Sequence, residues 1–386
     1  MKKIKLGDAC EILNGFAFKS ENYVGSGIRV IRISNVQKGY IEDNTPAFYP
    51  LETKGLEKYM LEEGDLLISL TGNVGRVAIL EKEFMPAALN QRVACLRLKT
   101  DKLSKRYLFH ILNSDFFEKQ CIQYSKGVAQ KNMSTAWLKD YEILLYSKEQ
   151  QELIADILDK MRLIKKSRYY ELQKLDELVK ARFVEMFGTI RENSHNYPRV
   201  TLKEVCHKIT DGKHGGCKQE DNSGYYYVGA REIYDGKIHY DTAPQITYDD
   251  FSKDYRRCNL EKGDMVIVNT GATIGKSAIA SSHLTEKTLL QKSVALIKVN
   301  SDIIIAEFLR YCYMVNPSMY MVKSASAQPN LLLSKMNSTI VYLPPIGLQR
   351  QFASFVEEVD KSRSRIQKSL EASQELFDSL MQEYFG

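Results

Sequence analysis

Few residues of this 386-residue chain are spaced for chemistry. The nearest is Thr270-Gly271-Ala272-Thr273-Ile274-Gly275-Lys276-Ser277, which ends in the Gly-Lys-Ser of a phosphate loop. That loop needs four residues between its first glycine and Gly-Lys-Ser, and it must open a helix whose N–H groups face the phosphates. Only three residues separate Gly271 from Gly275, and an apolar strand-like run follows. The segment reads instead as a tight turn between strands that brings Lys276 to a phosphate backbone. Thr71-Gly72-Asn73-Val74-Gly75-Arg76-Val77 has the same form and offers Arg76. Cys206-His207, His214 and Cys217 match no familiar zinc spacing, so no metal is expected in this chain. The stretch Ile209 to Gly216 reads as an exposed loop whose glycines allow close approach to a ligand, with Lys213 and His214 as donors. There is no Gly-x-Ser-x-Gly, no His-Glu-x-x-His, no dinucleotide fingerprint and no acidic pair of a nuclease. Asn316-Pro317-Ser318-Met319 is not the Asn/Asp-Pro-Pro-aromatic loop of an adenine methylase. These residues favour binding over catalysis.

The elements that would carry them come twice. Gln130 and Asn132 recur as Gln328 and Asn330, at an offset of 198 that also relates Gln151 to Gln349, Ala155 to Ala353 and Phe187-Gly188 to Phe385-Gly386. Leu61 to Asp65 matches Leu260 to Asp264, Gln91-Arg92 matches Gln291-Lys292, and Leu6 and Cys10 match Leu202 and Cys206. The offset drifts in the front part of each half and is constant in the back part. A half-length repeat implies a pseudo-dimer with two similar sites in one chain. The divergence of the front parts points to two different jobs on one frame.

The length suits two to three domains, each with its own core. No apolar run is long enough for a membrane span and no signal peptide is apparent. Seven cysteines without a Cys-x-x-Cys pair suit buried thiols, Cys95, Cys258 and Cys312 among them, in a reducing cytoplasm. The net charge is +6; residues 148 to 187 carry +1 and residues 346 to 386 carry −2, so the front segments hold the basic excess. That distribution favours an anionic partner such as nucleic acid.

Residues 1–147 and 189–345 read as two α+β domains. Ile28 to Ile33, Asp65 to Leu70, Val93 to Leu98, Tyr225 to Val228, Met265 to Asn269 and Val294 to Val299 look like strands. Lys105 to Gln123 reads as one helix, with Leu108, Ile111, Leu112 and Phe116 on a face, and Ile305 to Val315 as its counterpart. Residues 148–188 and 346–386 are long amphipathic helices. Their apolar faces carry Ile154, Ile157, Met161, Ile164, Leu175 and Val179 in the first, and Phe352, Phe355, Val359, Ile366, Phe377 and Leu380 in the second. At 1.5 Å per residue each is about 60 Å long, more than one head could cover. An antiparallel helix pair, acting as a coiled-coil spacer between two heads, is therefore expected.

The two Gln-x-Asn segments, Leu343-Pro344-Pro345-Ile346-Gly347-Leu348-Gln349-Arg350-Gln351, the Phe-Gly helix ends and Thr210-Asp211-Gly212-Lys213-His214 together resemble the DNA-specificity subunits of type I restriction-modification systems, over essentially the whole length. The first half departs in having Tyr146-Ser147 for the proline pair and Lys131 for the proline after glutamine. The resemblance implies that each head is a target-recognition domain reading half of a split, asymmetric double-stranded DNA target. The helices would set the spacing and dock two modification (methyltransferase) subunits, and through them the restriction subunits. S-adenosylmethionine, ATP and magnesium would belong to those partners, with no catalytic site and no cofactor here. Arg and Lys suit guanine, and Asn and Gln suit adenine, while most contacts go to phosphates. Candidates in the first head are Lys19, Arg32, Asn35, Arg76, Arg92, Lys126 and Lys131; in the second, Lys213, His214, Arg231, Lys276, Lys292 and Lys323. Gln130 and Gln328, common to both heads, fit shared structure. A coiled-coil scaffold and a self-contained methyltransferase or nuclease remain the competing readings.

Overall fold

A computed structural model describes residues 2–125, 131–189, 193–319 and 330–386. The chain forms two compact units, residues 1–169 with 368–386, and residues 170–367. They cut across the four consecutive segments read from the sequence, because each long helix gives part of its length to each unit.

The first unit is built on an antiparallel sheet in the spatial order Cys10–Asn14, Val93–Leu98, Leu66–Ser69, Val77–Ile79. Successive strand side chains point to opposite faces, and both faces here are covered. Leu66, Ile68, Ala94 and Leu96 pack with Tyr107, Leu108 and Leu112 of the helix Lys105–Leu112. Leu67, Val93 and Cys95 pack with Ile31 and Leu89, which belong to a smaller sheet of Phe48–Tyr49, Ile28–Ile31 and Ala87–Leu89. The second unit repeats the plan with Cys206–Asp211, Val294–Val299, Met265–Val268 and Ser277–Ile279. Met265, Ile267, Ala295 and Ile297 face the helix Ala306–Val315, while Val266, Val268, Val294 and Leu296 face the other way onto Val228 and Leu290. Burial raises the thiol pKa of Cys258 to about 11 and pushes those of Cys95 and Cys312 higher still.

The single helix read over Lys105 to Gln123 is two, Lys105–Leu112 and Asp115–Tyr124. Ser114 breaks it by capping the second, its side chain accepting from the Phe117 N–H at 3.1 Å. Phe116 is consequently exposed rather than on the packed face.

The repeated Leu-Glu-x-Gly-Asp turns are structural. Asp65 accepts from the Glu62 N–H at 2.8 Å and from Arg97 at 2.7 and 2.9 Å; Asp264 accepts from the Glu261 N–H at 2.7 Å and from Lys298 at 2.6 Å. The repeated glutamines are buried pins at the start of the long helices Lys148–Phe187 and Ile346–Phe385. Gln151 accepts from the Ser104 N–H at 2.8 Å and donates to the Lys102 and Tyr146 carbonyls at 2.9 Å each. Gln349 accepts from the Ile305 N–H at 2.9 Å and donates to the Ile303 and Pro344 carbonyls at 3.2 and 2.9 Å.

Within each unit the long helices lie antiparallel. In the second, Asp176 meets Arg363 at 2.6 Å, Arg182 lies over Phe355, and Phe183 and Phe187 meet Phe352. In the first, Lys165 lies over Phe377. The helix faces serve the heads as well as each other. Ile154, Met381 and Phe385 are buried in the first unit's main core, with Phe377 and Leu380 packed against it. Val179, Phe183, Phe187, Phe352 and Val359 are buried in that of the second, with Leu175 and Phe355 against it. Met161 is buried, while Ile157 and Ile366 are half-buried. Ile164, read as a seam residue, is instead exposed. Among the described residues no helix is long and apolar enough to cross a membrane.

Candidate nucleic-acid interface

In both units the same end of the four-stranded sheet gathers the loops singled out in the sequence. In the first, Ser69 pairs with Val93 and Asn14 with Ala94 at that end. The turn 70–76 is tied there to the segment around Asn132. The Gly72 N–H donates to the Lys131 carbonyl at 2.9 Å, the Met133 N–H to the Leu70 carbonyl at 2.8 Å, and Thr71 bridges Asn132. The Leu70 N–H donates to the Arg92 carbonyl at 2.9 Å, and the Gln91 N–H to Phe16 at 2.9 Å. The second unit repeats these ties, Leu331 to Asn269 at 2.7 Å, Lys292 to Lys213 at 3.0 Å and Thr270 to Asn330. Gly15 and Gly212 occupy one position of the repeat, where a Cβ would stand 2.3 Å from Asn90 and 2.2 Å from the Leu290 carbonyl. Only glycine lets the loop cross there. The Gly271 segment is the turn of the antiparallel hairpin Met265–Val268 and Ser277–Ile279, with no helix after it, so it lacks the frame of a phosphate loop.

Arg92 and Lys131 in the first unit, and Arg231, Lys276 and Lys292 in the second, are exposed and form no ion pair with a described residue. Lys19 is exposed on the loop after the first sheet strand, 3.8 Å from Glu21. Arg76 is half-buried and donates to Gln37. His214 is exposed, with Nε2 2.9 Å from Asp211.

Three candidates are otherwise employed. Asn35 is buried: it accepts from the Arg32 N–H at 2.9 Å and donates to the Glu42 carbonyl and Asp43 at 2.9 and 2.8 Å, so its amide holds a turn and cannot read a base. Arg32 is half-buried and donates to the Thr45 carbonyl. Lys213 is sequestered, 2.7 Å from Asp254 and 3.7 Å from Asp250, and the bond to Asp254 raises its pKa. Lys126, Lys323, Gln130 and Gln328 lie outside the described residues.

Sequence reasoning missed Arg257, at the end of the helix Tyr248–Cys258, which donates from Nε to the Asp211 carbonyl at 3.1 Å and also to its carboxylate. Burial alone would raise the Asp211 carboxyl, but Arg257 and His214 hold it below its ordinary value. Nothing local in the sequence links positions 46 residues apart. Among the described residues no cluster of His, Cys, Asp and Glu could hold a metal ion.

A family model described as type I restriction modification DNA specificity domain matches residues 1–174 and again 195–374. The chain belongs to this DNA-specificity family. The EcoBI specificity subunit of Escherichia coli is 24% identical, the match covering 95% of this chain and 81% of the relative. The MjaVIII specificity subunit of Methanocaldococcus jannaschii is 29% identical over 50% of this chain and 47% of its own length. The crystal structure of the S subunit of a type I restriction-modification system from M. genitalium shares the fold, with a TM-score of 0.61 at 16% identity, covering 100% of this chain and 96% of that one. As a member of the specificity family, the chain serves DNA sequence recognition in a type I system, and each of its two matched ranges takes in one α+β head and much of the long helix after it.

Proposed function

We propose that the chain is the non-catalytic reader of a type I restriction-modification assembly, each head reading half of a split DNA target through its loop end. The observation that supports this most is the pair of equivalent sheet ends with unlike side chains. Arg92 and Lys131 stand in one head; Lys292, Lys276 and Arg231 stand in the other. A repeated frame with different donors suits two different DNA words, and uncompensated cations on loops suit phosphate contacts that fix register.

The long helices set the gap between the half-targets and dock two modification subunits, which recruit the restriction subunits. The exposed apolar side chains Leu153 and Leu163, and likewise Leu178 and Val184, suit helix-face docking. S-adenosylmethionine then belongs to the modification subunits, and ATP with magnesium to the restriction subunits.

The test is genome-wide mapping of methylated adenines in cells holding the chain with its modification subunit. Alanine at Arg92 and Lys131 should relax or weaken one half of the methylated sequence, and alanine at Lys276 and Lys292 the other half. Equal weakening of both halves by either pair contradicts the division of reading. Tight S-adenosylmethionine binding by the purified chain alone contradicts the non-catalytic role.

A further inference from the structure

A cavity of about 590 Å³ opens within the first unit, between the helices Lys105–Leu112 and Asp115–Tyr124 and the long helices. Four cations line it, Lys38, Lys119, Arg162 and Lys165, against the carboxylates of Asp115 and Asp378. Lys38 is already satisfied by Asp115 and, at 2.7 Å, by Glu118. The other three have no carboxylate at ion-pair distance among the described residues. Packing holds two of them in place. Arg162 donates to the Gly39 carbonyl at 3.1 Å and lies 4.6 Å over the Phe109 ring, and Lys165 lies 4.6 Å over Phe377. Burial lowers the pKa of both, against the opposing charges of Asp159 and Glu81 on Arg162 and of Asp378 on Lys165, and Arg162 and Lys38 lower that of Lys165 further. Two half-buried like charges side by side are costly without an anion at contact distance.

The internal repeat supplies a control. At the offset of 198, Arg162 corresponds to Asp360 and Lys165 to Arg363. Arg363 meets Asp176 at 2.6 Å and Asp360 at 3.3 Å, so the second copy of the frame pairs directly the position that the first leaves without a contacting carboxylate. The bare pair is therefore not a requirement of the shared helix frame.

We propose that this cavity binds a phosphate-bearing ligand, held jointly by Arg162, Lys165 and Lys119. Its volume is in the range of small-ligand sites, and the rings of Phe109 and Phe377 beneath Arg162 and Lys165 hold the two cations in place for a phosphate. A free nucleotide and a DNA phosphodiester both carry the group, and the two sources are separable. The nucleotide arm stands independently of the reading of the loop ends; the DNA arm rests on it.

Isothermal titration of the full chain with ATP and with inorganic pyrophosphate should show saturable binding. Lys165→Gln and Lys119→Gln should each weaken it about tenfold, as for a lost charge-assisted hydrogen bond. Lys361→Gln, an exposed cation on the second long helix, should leave it unchanged. Lys119 is exposed, so its variant decides the matter if Lys165→Gln fails to fold. If neither ligand binds, but both variants reduce the salt slope of target-DNA binding by about 1 in the assembly with the modification subunits, the phosphate is the DNA backbone's. The proposal is overturned if no ligand binds and the slope is unchanged, or if ligand binding ignores both substitutions.

Discussion

The ring of Phe385, the penultimate residue, lies in the core of the unit that begins at the N-terminus. It is 7% exposed and packs with its centroid 5.6 Å from that of Tyr107. Its repeat equivalent, Phe187, is 3% exposed and meets Phe308 at 4.8 Å in the second unit. Truncating a buried phenylalanine to alanine costs about 3 to 5 kcal/mol through lost transfer energy and the cavity left behind. Taking the lower end for Phe385, at the rim of its cluster, gives about 3 kcal/mol, or roughly a hundredfold in the opening equilibrium of the unit that holds it. Hydrogen exchange read by mass spectrometry resolves which unit opens. Phe385→Ala should speed exchange roughly a hundredfold in the protected amides of residues 105–124 and 142–158, leaving 294–315 as they were. Phe187→Ala should do the reverse. If Phe385→Ala loosens 294–315 instead, or loosens nothing, the assignment of each helix end to the other half's head is wrong.

Gln151→Leu should cost about 3 kcal/mol in chemical denaturation, because it strands the Ser104 N–H and two carbonyls inside the fold; Gln349→Leu should cost a similar amount. Losses under about 0.5 kcal/mol would mean that the pins are not structural. Lys213→Ala should leave the salt slope of DNA binding nearly unchanged, since Asp254 and Asp250 already neutralise that cation. Lys292→Ala should reduce the slope by about 1, and the opposite ranking would sink the assignment. His110 is buried with Nε2 2.9 Å from Asp159, and burial lowers its pKa despite that carboxylate. A folded-state pKa below the unfolded one means that its contribution is complete above about pH 6.5 and is lost as pH falls. The melting temperature should therefore drop between about pH 7.5 and about pH 5.5, less steeply in His110→Gln. Equal drops in the two proteins would count against a buried neutral imidazole.

Much of this architecture is written in local pattern. Leu66 to Ile68 and Met265 to Val268 are apolar throughout because both faces of the sheet are covered, and their turns are marked by Gly-Asp and Thr-Gly. The offset of 198 marks side chains with the same task twice, Gln151 and Gln349 most plainly. What could not be read is pairing at a distance. Asn35 and Lys213 look like free donors until Asp43 and Asp254 fold against them. The break at Ser114 was hidden because apolar residues continue on both sides of it. Helical periodicity identifies the apolar faces but not their mates, so it puts Ile164, which is exposed, in the seam and gives no sign that Phe385 packs in the first head. Lys276 stands exposed beside its glycine turn, as the sequence suggests, and Arg92, Lys131 and Lys292 are exposed as well.

The position of Phe385 also bears on synthesis. Translation makes residues 1–169 first, but Phe377, Met381 and Phe385, which close their core, follow only after residues 170–367. Residues 170–367 are contiguous and are all made before those closing residues. The usual N-terminus-first order of domain completion is thus inverted. The nascent first head must wait with an open apolar face until Phe377, Met381 and Phe385 are made, so a chain cut short before them leaves the N-terminal head unclosed.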